Sequence, residues 1–189
     1  MSAFFVSTVL IFFAELGDKS QLVALWFATR YRWWIVLAGV SAATLVVHLG
    51  SVAIGVAFDE LLPERVLLTL VGLSFFAFAA WSLRGDTLEE EPGEPRLGAR
   101  FGALGVVSAA FFLSELGDKT MLATVSLAGR EANTVGVWLG STLGMVLADA
   151  VAIAAGVIAG KRLPQRVLAV VAALLFVAFG AAALWAAWR

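Results

Sequence analysis

The sequence predicts an all-α polytopic membrane protein with six transmembrane helices in two inverted three-helix repeats. Three observations carry that expectation. Of 189 residues, 61% are hydrophobic and only 14% charged, with a mean hydropathy of +0.95. The apolar residues gather into runs of about 20, the length a helix needs to cross a hydrocarbon layer of roughly 30 Å. The second half of the chain also repeats the first at a nearly constant offset. A soluble globule of this size would lack the polar material to cover its surface, which excludes a soluble enzyme, a disordered tail and a nucleic-acid binder. The net charge of −1 points to no charged partner. Cys is absent, so there is no disulfide framework, thiolate site or cysteine nucleophile.

The first expected span runs from Ala3 to Ala28. It is not read as a signal peptide, because no Lys or Arg precedes the apolar run and Glu15, Asp18 and Lys19 interrupt it. The second span runs from Trp33 to Phe58, and the third from Arg65 to Leu83 with Pro63 just ahead, where a missing amide hydrogen costs little. Between Arg84 and Arg100 lies the one strongly polar stretch, with Glu89, Glu90, Glu91, Pro92, Gly93, Glu94 and Pro95, which reads as a solvated linker. Spans four, five and six follow as Phe101 to Ala128, Asn133 to Gly160 and Gln165 to Trp188, the last preceded by Pro164. Trp26, Trp33, Trp34, Trp81, Trp185 and Trp188 fall near span ends, where an amphipathic ring favours the headgroup region. The organisation is thus a first repeat over 1–84, an acidic cytoplasmic loop over 85–100 and a second repeat over 101–189.

At an offset of 100, Glu15-Leu16-Gly17-Asp18-Lys19 matches Glu115-Leu116-Gly117-Asp118-Lys119, and Leu22, Ala28 and Arg30 match Leu122, Ala128 and Arg130. After one inserted residue the offset is 101, pairing Gly39 with Gly140, Gly55 with Gly156, Leu62-Pro63 with Leu163-Pro164 and Phe75 with Phe176. Three spans per copy make the second copy enter the membrane from the opposite face. One face then holds Arg30, Arg32, Arg84, Arg96, Arg100, Lys161, Arg162 and Arg166, the other only Arg65, Arg130 and Arg189. The positive-inside tendency puts both termini outside and the acidic loop in the cytoplasm. Inverted repeats around a midplane site are the common plan of secondary transporters.

Glu15 and Glu115 fall near the middle of spans one and four. An acid or Lys at a helix centre costs roughly 3 kcal/mol, so each Glu/Asp/Lys cluster costs on the order of 8 to 10 kcal/mol before pairing. In a helix, Glu-x-x-Asp puts both carboxylates on one face and lets the ammonium four residues on from the Glu reach back to it. Gly17 would leave room beside that face for another backbone or an ion. Each cluster carries one surplus negative charge, so two clusters meeting at the repeat interface need one divalent ion or two protons. Glu15, Asp18, Glu115 and Asp118, with Ser20, Gln21 and Thr120 as candidate further ligands, offer oxygen only. That donor set suits hard cations such as Ca2+, Mn2+ and Mg2+ and disfavours copper and zinc. Lys19 and Lys119 read as holding the acids' charges in the empty site and swinging away on ion entry, a gate. The competing reading makes the clusters internal salt bridges that fix helix packing.

The doubled Glu-x-Gly-Asp-Lys-Ser/Thr motif, Glu15 to Ser20 and Glu115 to Thr120, resembles uncharacterised protein family 0016, the Gdt-type manganese/calcium transporters. The resemblance spans essentially the whole chain. It implies six helices in two inverted repeats and transport of Mn2+ and Ca2+ by exchange with H+, with Glu15, Asp18, Glu115 and Asp118 as metal ligands. The expected partners are a divalent cation, the proton and the lipid bilayer, with no nucleic acid and no cofactor beyond the transported ion; a homo-oligomer stays open. The expected location is a bacterial inner (cell) membrane, and the protein is not expected to be an enzyme.

His48 and Asp149 occupy equivalent positions in the second spans of the two repeats. Asp149, and less strongly His48, is the candidate for a proton branch or for a layer of residues behind the cation ligands. Gly136, Gly140 and Gly144 form a small-residue stripe suited to close helix packing. Rival readings are a passive cation channel, an exporter of small organic cations, a membrane-embedded carboxylate hydrolase and an assembly factor whose charges only staple helices.

Overall fold

The computed structural model describes residues 2–84, 98–159 and 165–189, without the side chains of residues 19, 82, 84, 98–101, 156–159, 165, 168 and 169. The acidic stretch with Arg96, together with Gly160, Lys161, Arg162 and Pro164, therefore falls outside the described residues, as do the side chains of Lys19, Arg84 and Arg100. All secondary structure among the described residues is helical. The helices are α1 (Ala3–Glu15), α2 (Lys19–Ala28), α3 (Trp33–Leu61), α4 (Glu64–Arg84), α5 (Gly98–Glu115), α6 (Lys119–Ala128), α7 (Thr134–Ala159) and α8 (Gln165–Trp188).

Four of these are long and apolar enough to cross a membrane, over Trp33–Leu61, Glu64–Trp81, Thr134–Ala155 and Val170–Trp188. The first and fourth expected spans are not single helices. Each is cut in two at its charged motif, giving α1 then α2, and α5 then α6. The cut follows from the glycine: Gly17 and Gly117 take φ of 83° and 79°, left-handed values at which a helix cannot continue and which a side chain disfavours. A second break lies at Gly102 near the start of α5, where φ is 63° and ψ −178°.

Extensive packing joins helices from opposite halves of the chain, among them α1 on α7, α3 on α5, α4 on α8 and α3 on α7. Exchanging α1–α4 with α5–α8 turns each of these pairs into another of the set or into itself. Two contacts sit where such an exchange maps a pair onto itself. Phe75 stacks on its counterpart Phe176 with ring centres 5.9 Å apart, and the Thr44 hydroxyl donates to the sulfur of its counterpart Met145 at 3.2 Å.

Helix directions follow from side-chain register. Gly140 abuts Phe4 and Gly144 abuts Thr8, so α1 and α7 run parallel. Thr44 meets Met145 while His48 meets Thr142, so α3 and α7 run antiparallel. The equivalent glycines Gly140 and Gly39 both allow close approach: a Cβ at Gly140 would lie 2.3 Å from the Phe4 carbonyl oxygen, and one at Gly39 would lie 2.7 Å from Val107. Gly136, by contrast, faces only the Asn133 side chain that bonds its own amide at 2.9 Å. The surface carries large apolar side chains such as Phe5, Leu61, Leu113, Leu174 and Trp185, which a bilayer would cover.

Candidate cation site

Each motif is built the same way. The first half-helix ends at its Glu, the next two residues leave helical geometry through the left-handed glycine, and the Asp opens the second half-helix. The turn is closed by the backbone: the Asp18 amide donates to the Glu15 carbonyl at 3.0 Å, and that of Asp118 to the Glu115 carbonyl at 3.2 Å. A Cβ at Gly117 would meet nothing within 4 Å. The role of Gly117 is therefore conformational.

The break also corrects the expected geometry of the charges. Glu and Asp do not share one face of a continuous helix, because the residues between them are not helical. The ammonium of Lys119 instead meets Asp18 of the other motif at 2.5 Å, with both side chains buried. This ion pair ties the two breaks together.

Glu15, Asp18, Glu115 and Asp118 are all buried, Glu15 and Glu115 completely. Glu15, Glu115 and Asp118 each bring one carboxylate oxygen within 4.8 Å of the others'. Ca2+–oxygen bonds run from about 2.3 to 2.6 Å, so oxygens so spaced can share one ion. The remaining polar groups point the Glu side chains inward: the Ser20 hydroxyl donates to one oxygen of Glu15 and the Thr120 hydroxyl to one of Glu115, at 3.2 Å in the latter case. The other oxygens, Oε2 of Glu15 and Oε1 of Glu115, have no hydrogen-bond partner among the described residues. A buried acceptor left in that state calls for a cation, a proton or water.

Helix ends add to this field. The C-termini of α1 and α5, where backbone carbonyls concentrate negative potential, end at the two Glu residues. Carboxylates there are disfavoured alone and favoured with a cation between them. Asp118, at the N-terminus of α6, makes no side-chain cap to its own helix.

The two breaks are not identical. Gln21 takes the Gly17 amide on its oxygen at 2.7 Å and donates its own amide to the Ala148 carbonyl of α7 at 2.9 Å, which clamps the first break to α7. Both ends of Gln21 thereby serve the backbone. Met121 occupies the equivalent place, and only its sulfur meets the Gly117 amide, at 3.2 Å. Leu16 is accordingly 8% exposed and Leu116 50%.

Asp149 is fully buried on α7, neither of its oxygens has a hydrogen-bond partner among the described residues, and it lies within electrostatic reach of Glu15, Asp18 and Glu115. His48 is equally buried but lies farther along α3, with Nδ1 3.5 Å from the Thr142 hydroxyl and Nε2 without a partner among the described residues. Sequence reasoning passed over two further buried hydroxyls without partners among the described residues, those of Ser7 and Ser141. The repeat alignment held a signal for them, since their counterparts are Val107 and Val40.

Comparison with known proteins places these features in a family. The divalent cation/proton antiporter GDT1 family matches over residues 3–90 and 103–189. A protein of Vibrio cholerae named "Putative manganese exporter" is 35% identical over 178 residues, covering 93% of this chain and 87% of the relative. GDT1-like protein 5 of Arabidopsis thaliana is 27% identical over 215 residues, 95% of this chain and 94% of the relative. The chloroplastic GDT1-like protein 1 of Oryza sativa subsp. japonica is 30% identical over 205 residues, 93% of this chain and 60% of the relative. No solved structure matches the chain.

Proposed function

This chain belongs to the divalent cation/proton antiporter GDT1 family, and from that premise we propose that it exchanges Mn2+ or Ca2+ for H+ through the buried carboxylate site. The observation that carries the reading is the meeting of Glu15, Glu115 and Asp118 oxygens within 4.8 Å at two broken helices from opposite halves of the chain. Broken helices that aim their ends at a central ion are how membrane proteins tolerate irregular backbone at depth. The name of the Vibrio cholerae relative favours manganese.

In this reading six crossings, two of them made of paired half-helices, form two inverted repeats in a bacterial inner membrane. The antiparallel run of α3 and α7 supports the inversion. The guanidinium of Arg65 lies 3.8 Å from the ring centre of Trp188, which supports a shared face for the start of α4 and the C-terminus, assigned here to the outside. Glu15, Glu115, Asp118 and Asp18 bind the ion when deprotonated and release it when protonated. Ser20 and Thr120 orient the Glu carboxylates, Lys119 neutralises Asp18 in the empty site, and Asp149 takes part in the proton branch. Rocking of one repeat against the other exposes the site to each face in turn.

The test is uptake into sealed vesicles holding the purified protein, with an imposed pH gradient and Mn2+, Ca2+ and Mg2+ offered in turn. Metal flux that follows the pH gradient, and is lost in Glu15→Gln and Glu115→Gln proteins that still fold, supports the proposal. Flux indifferent to pH, or undiminished in both variants, overturns it. Flux indifferent to pH but still dependent on the acids identifies a channel.

A further inference from the structure

The exchange proposed above requires a route for protons, and the buried polar groups that bind no partner mark one. Thr142 lies on α7 between Gly140 and Gly144, the residues that abut Phe4 and Thr8 of α1. That register sets Ser7, Ser141, Thr142 and, through its contact with Thr142, His48 at one level of the bundle. Ser7, Ser141 and His48 are fully buried. The hydroxyls of Ser7 and Ser141 and Nε2 of His48 have no hydrogen-bond partner among the described residues. Glu15 stands eight residues beyond Ser7 on α1, about 12 Å along the axis at 1.5 Å per residue.

Two helix stripes bridge that distance. On α3, Thr44 is one turn from His48 toward the site. On α7, Met145 is one turn from Ser141 and Asp149 one turn from Met145, and the Thr44 hydroxyl and Met145 sulfur meet at 3.2 Å. All five are fully buried. Isolated buried hydroxyls cost free energy unless water or protein satisfies them, and two of them beside an unpartnered imidazole nitrogen, with the Thr142 and Thr44 hydroxyls that already donate to Trp138 and Met145, are polar anchors of the kind that internal waters need. The arrangement is one-sided. In the equivalent interface of α3 with α5, Val40 and Val107 replace Ser141 and Ser7, and both are fully buried.

We propose that a hydrated passage between α1, α3 and α7, lined by Ser7, Ser141, Thr142, His48 and Thr44, carries protons between Glu15 and the face at which α1 begins. The inference rests on the cation/proton exchange proposed above. Hydroxyl and imidazole groups hold the waters in line, each water passes one proton on as it receives another, and the last hands its proton to the Glu15 carboxylate or takes it back. His48 acts as a neutral relay with one nitrogen donating and the other accepting. The metal takes another route, because the passage offers no carboxylate before Asp149 and Glu15.

The experiment combines two readouts on the full chain, unaltered and as the double variant Ser7→Val/Ser141→Val, in which each Ser becomes the residue its own repeat partner already carries. The first is hydroxyl-radical labelling by X-ray radiolysis of water in metal-free protein, read at Met145 and His48 against the fully buried Phe27 and Phe176. The second is proton release on Mn2+ addition to vesicles, with equilibrium Mn2+ binding measured in parallel. Labelling of Met145 and His48 well above the two phenylalanines, a fall of tenfold or more in Met145 labelling and in proton-coupled flux in the variant, and Mn2+ affinity within twofold of the unaltered protein are expected. No labelling of Met145 and His48 in the unaltered protein overturns the passage, whether or not the variant folds. Labelling with unchanged flux in a folded variant overturns its proton role. Absence of any metal–proton exchange in the unaltered protein overturns the function on which the inference rests, and the proton role with it, while Met145 labelling still decides whether the passage is wet.

Discussion

Lys119 shows what a single side chain does at the join between the halves. Its ammonium lies 2.5 Å from Asp18, with almost no exposure on either side. Removing one partner of a buried ion pair leaves an uncompensated charge and costs about 3–5 kcal/mol. On the proposed function, a divalent ion entering the acids would compete with this tethered cation for the same negative charge. Lys119→Ala should therefore lower the stability of metal-free protein by that amount and raise Mn2+ affinity roughly tenfold, with a larger metal-induced rise in Tm. Thermal unfolding in detergent with and without Mn2+, beside equilibrium titration, measures both; equal affinity in the variant would show that Lys119 does not compete with the ion. The motif residues were legible in the sequence because charges in an apolar run are costly and their duplication is conspicuous. The direction Lys119 takes was not, since spacing along a chain predicts neighbours only while the helix holds.

At the scale of elements, that helix does not hold. Hydropathy reads Ala3–Ala28 as one span because Leu16 and Leu22 keep the window apolar across the break. The glycine between Glu and Asp was visible, but whether a glycine bends, packs or opens a helix depends on partners that sequence does not order. The stripe on α7 shows the same division: two of its three glycines press against α1, and Gly136 does not. Gly140→Ala would place a methyl 2.3 Å from the Phe4 carbonyl oxygen, a contact that must push α1 away. Overpacking of this kind costs about 1–3 kcal/mol. Gly50→Ala on α3 meets nothing within 4 Å and has helical geometry, so it should be neutral or stabilise by up to about 1 kcal/mol. Paired denaturation curves test this contrast, and equal losses in both variants would mean that α1 is free to shift without cost.

The whole molecule is an arrangement in which each half supplies the other's packing surface, since α1, α3 and α4 find their main neighbours in α7, α5 and α8. The duplication was legible because the offset changes only once; the interlocking was not, because repeats that bury their faces against each other have the same sequence pattern as repeats that bury them internally. Interlocking places both motifs around one site and fixes the charge count there: two Glu, two Asp and two Lys leave a surplus of two negatives. If that surplus alone is satisfied in each branch, one divalent ion exchanges for two protons and the cycle moves no net charge. Metal flux driven by a fixed pH gradient should then be indifferent to a membrane potential clamped with K+ and valinomycin. Asp149 offers the alternative, because it adds a third negative charge within reach of Glu15, Asp18 and Glu115. Should it release and rebind a proton in every cycle, three protons would move per ion, an inside-negative potential would speed exit of the metal, and Asp149→Asn would abolish that dependence. Measured indifference to potential in the unaltered protein assigns Asp149 a constant charge; a dependence that Asp149→Asn leaves intact overturns the count on which both cases stand.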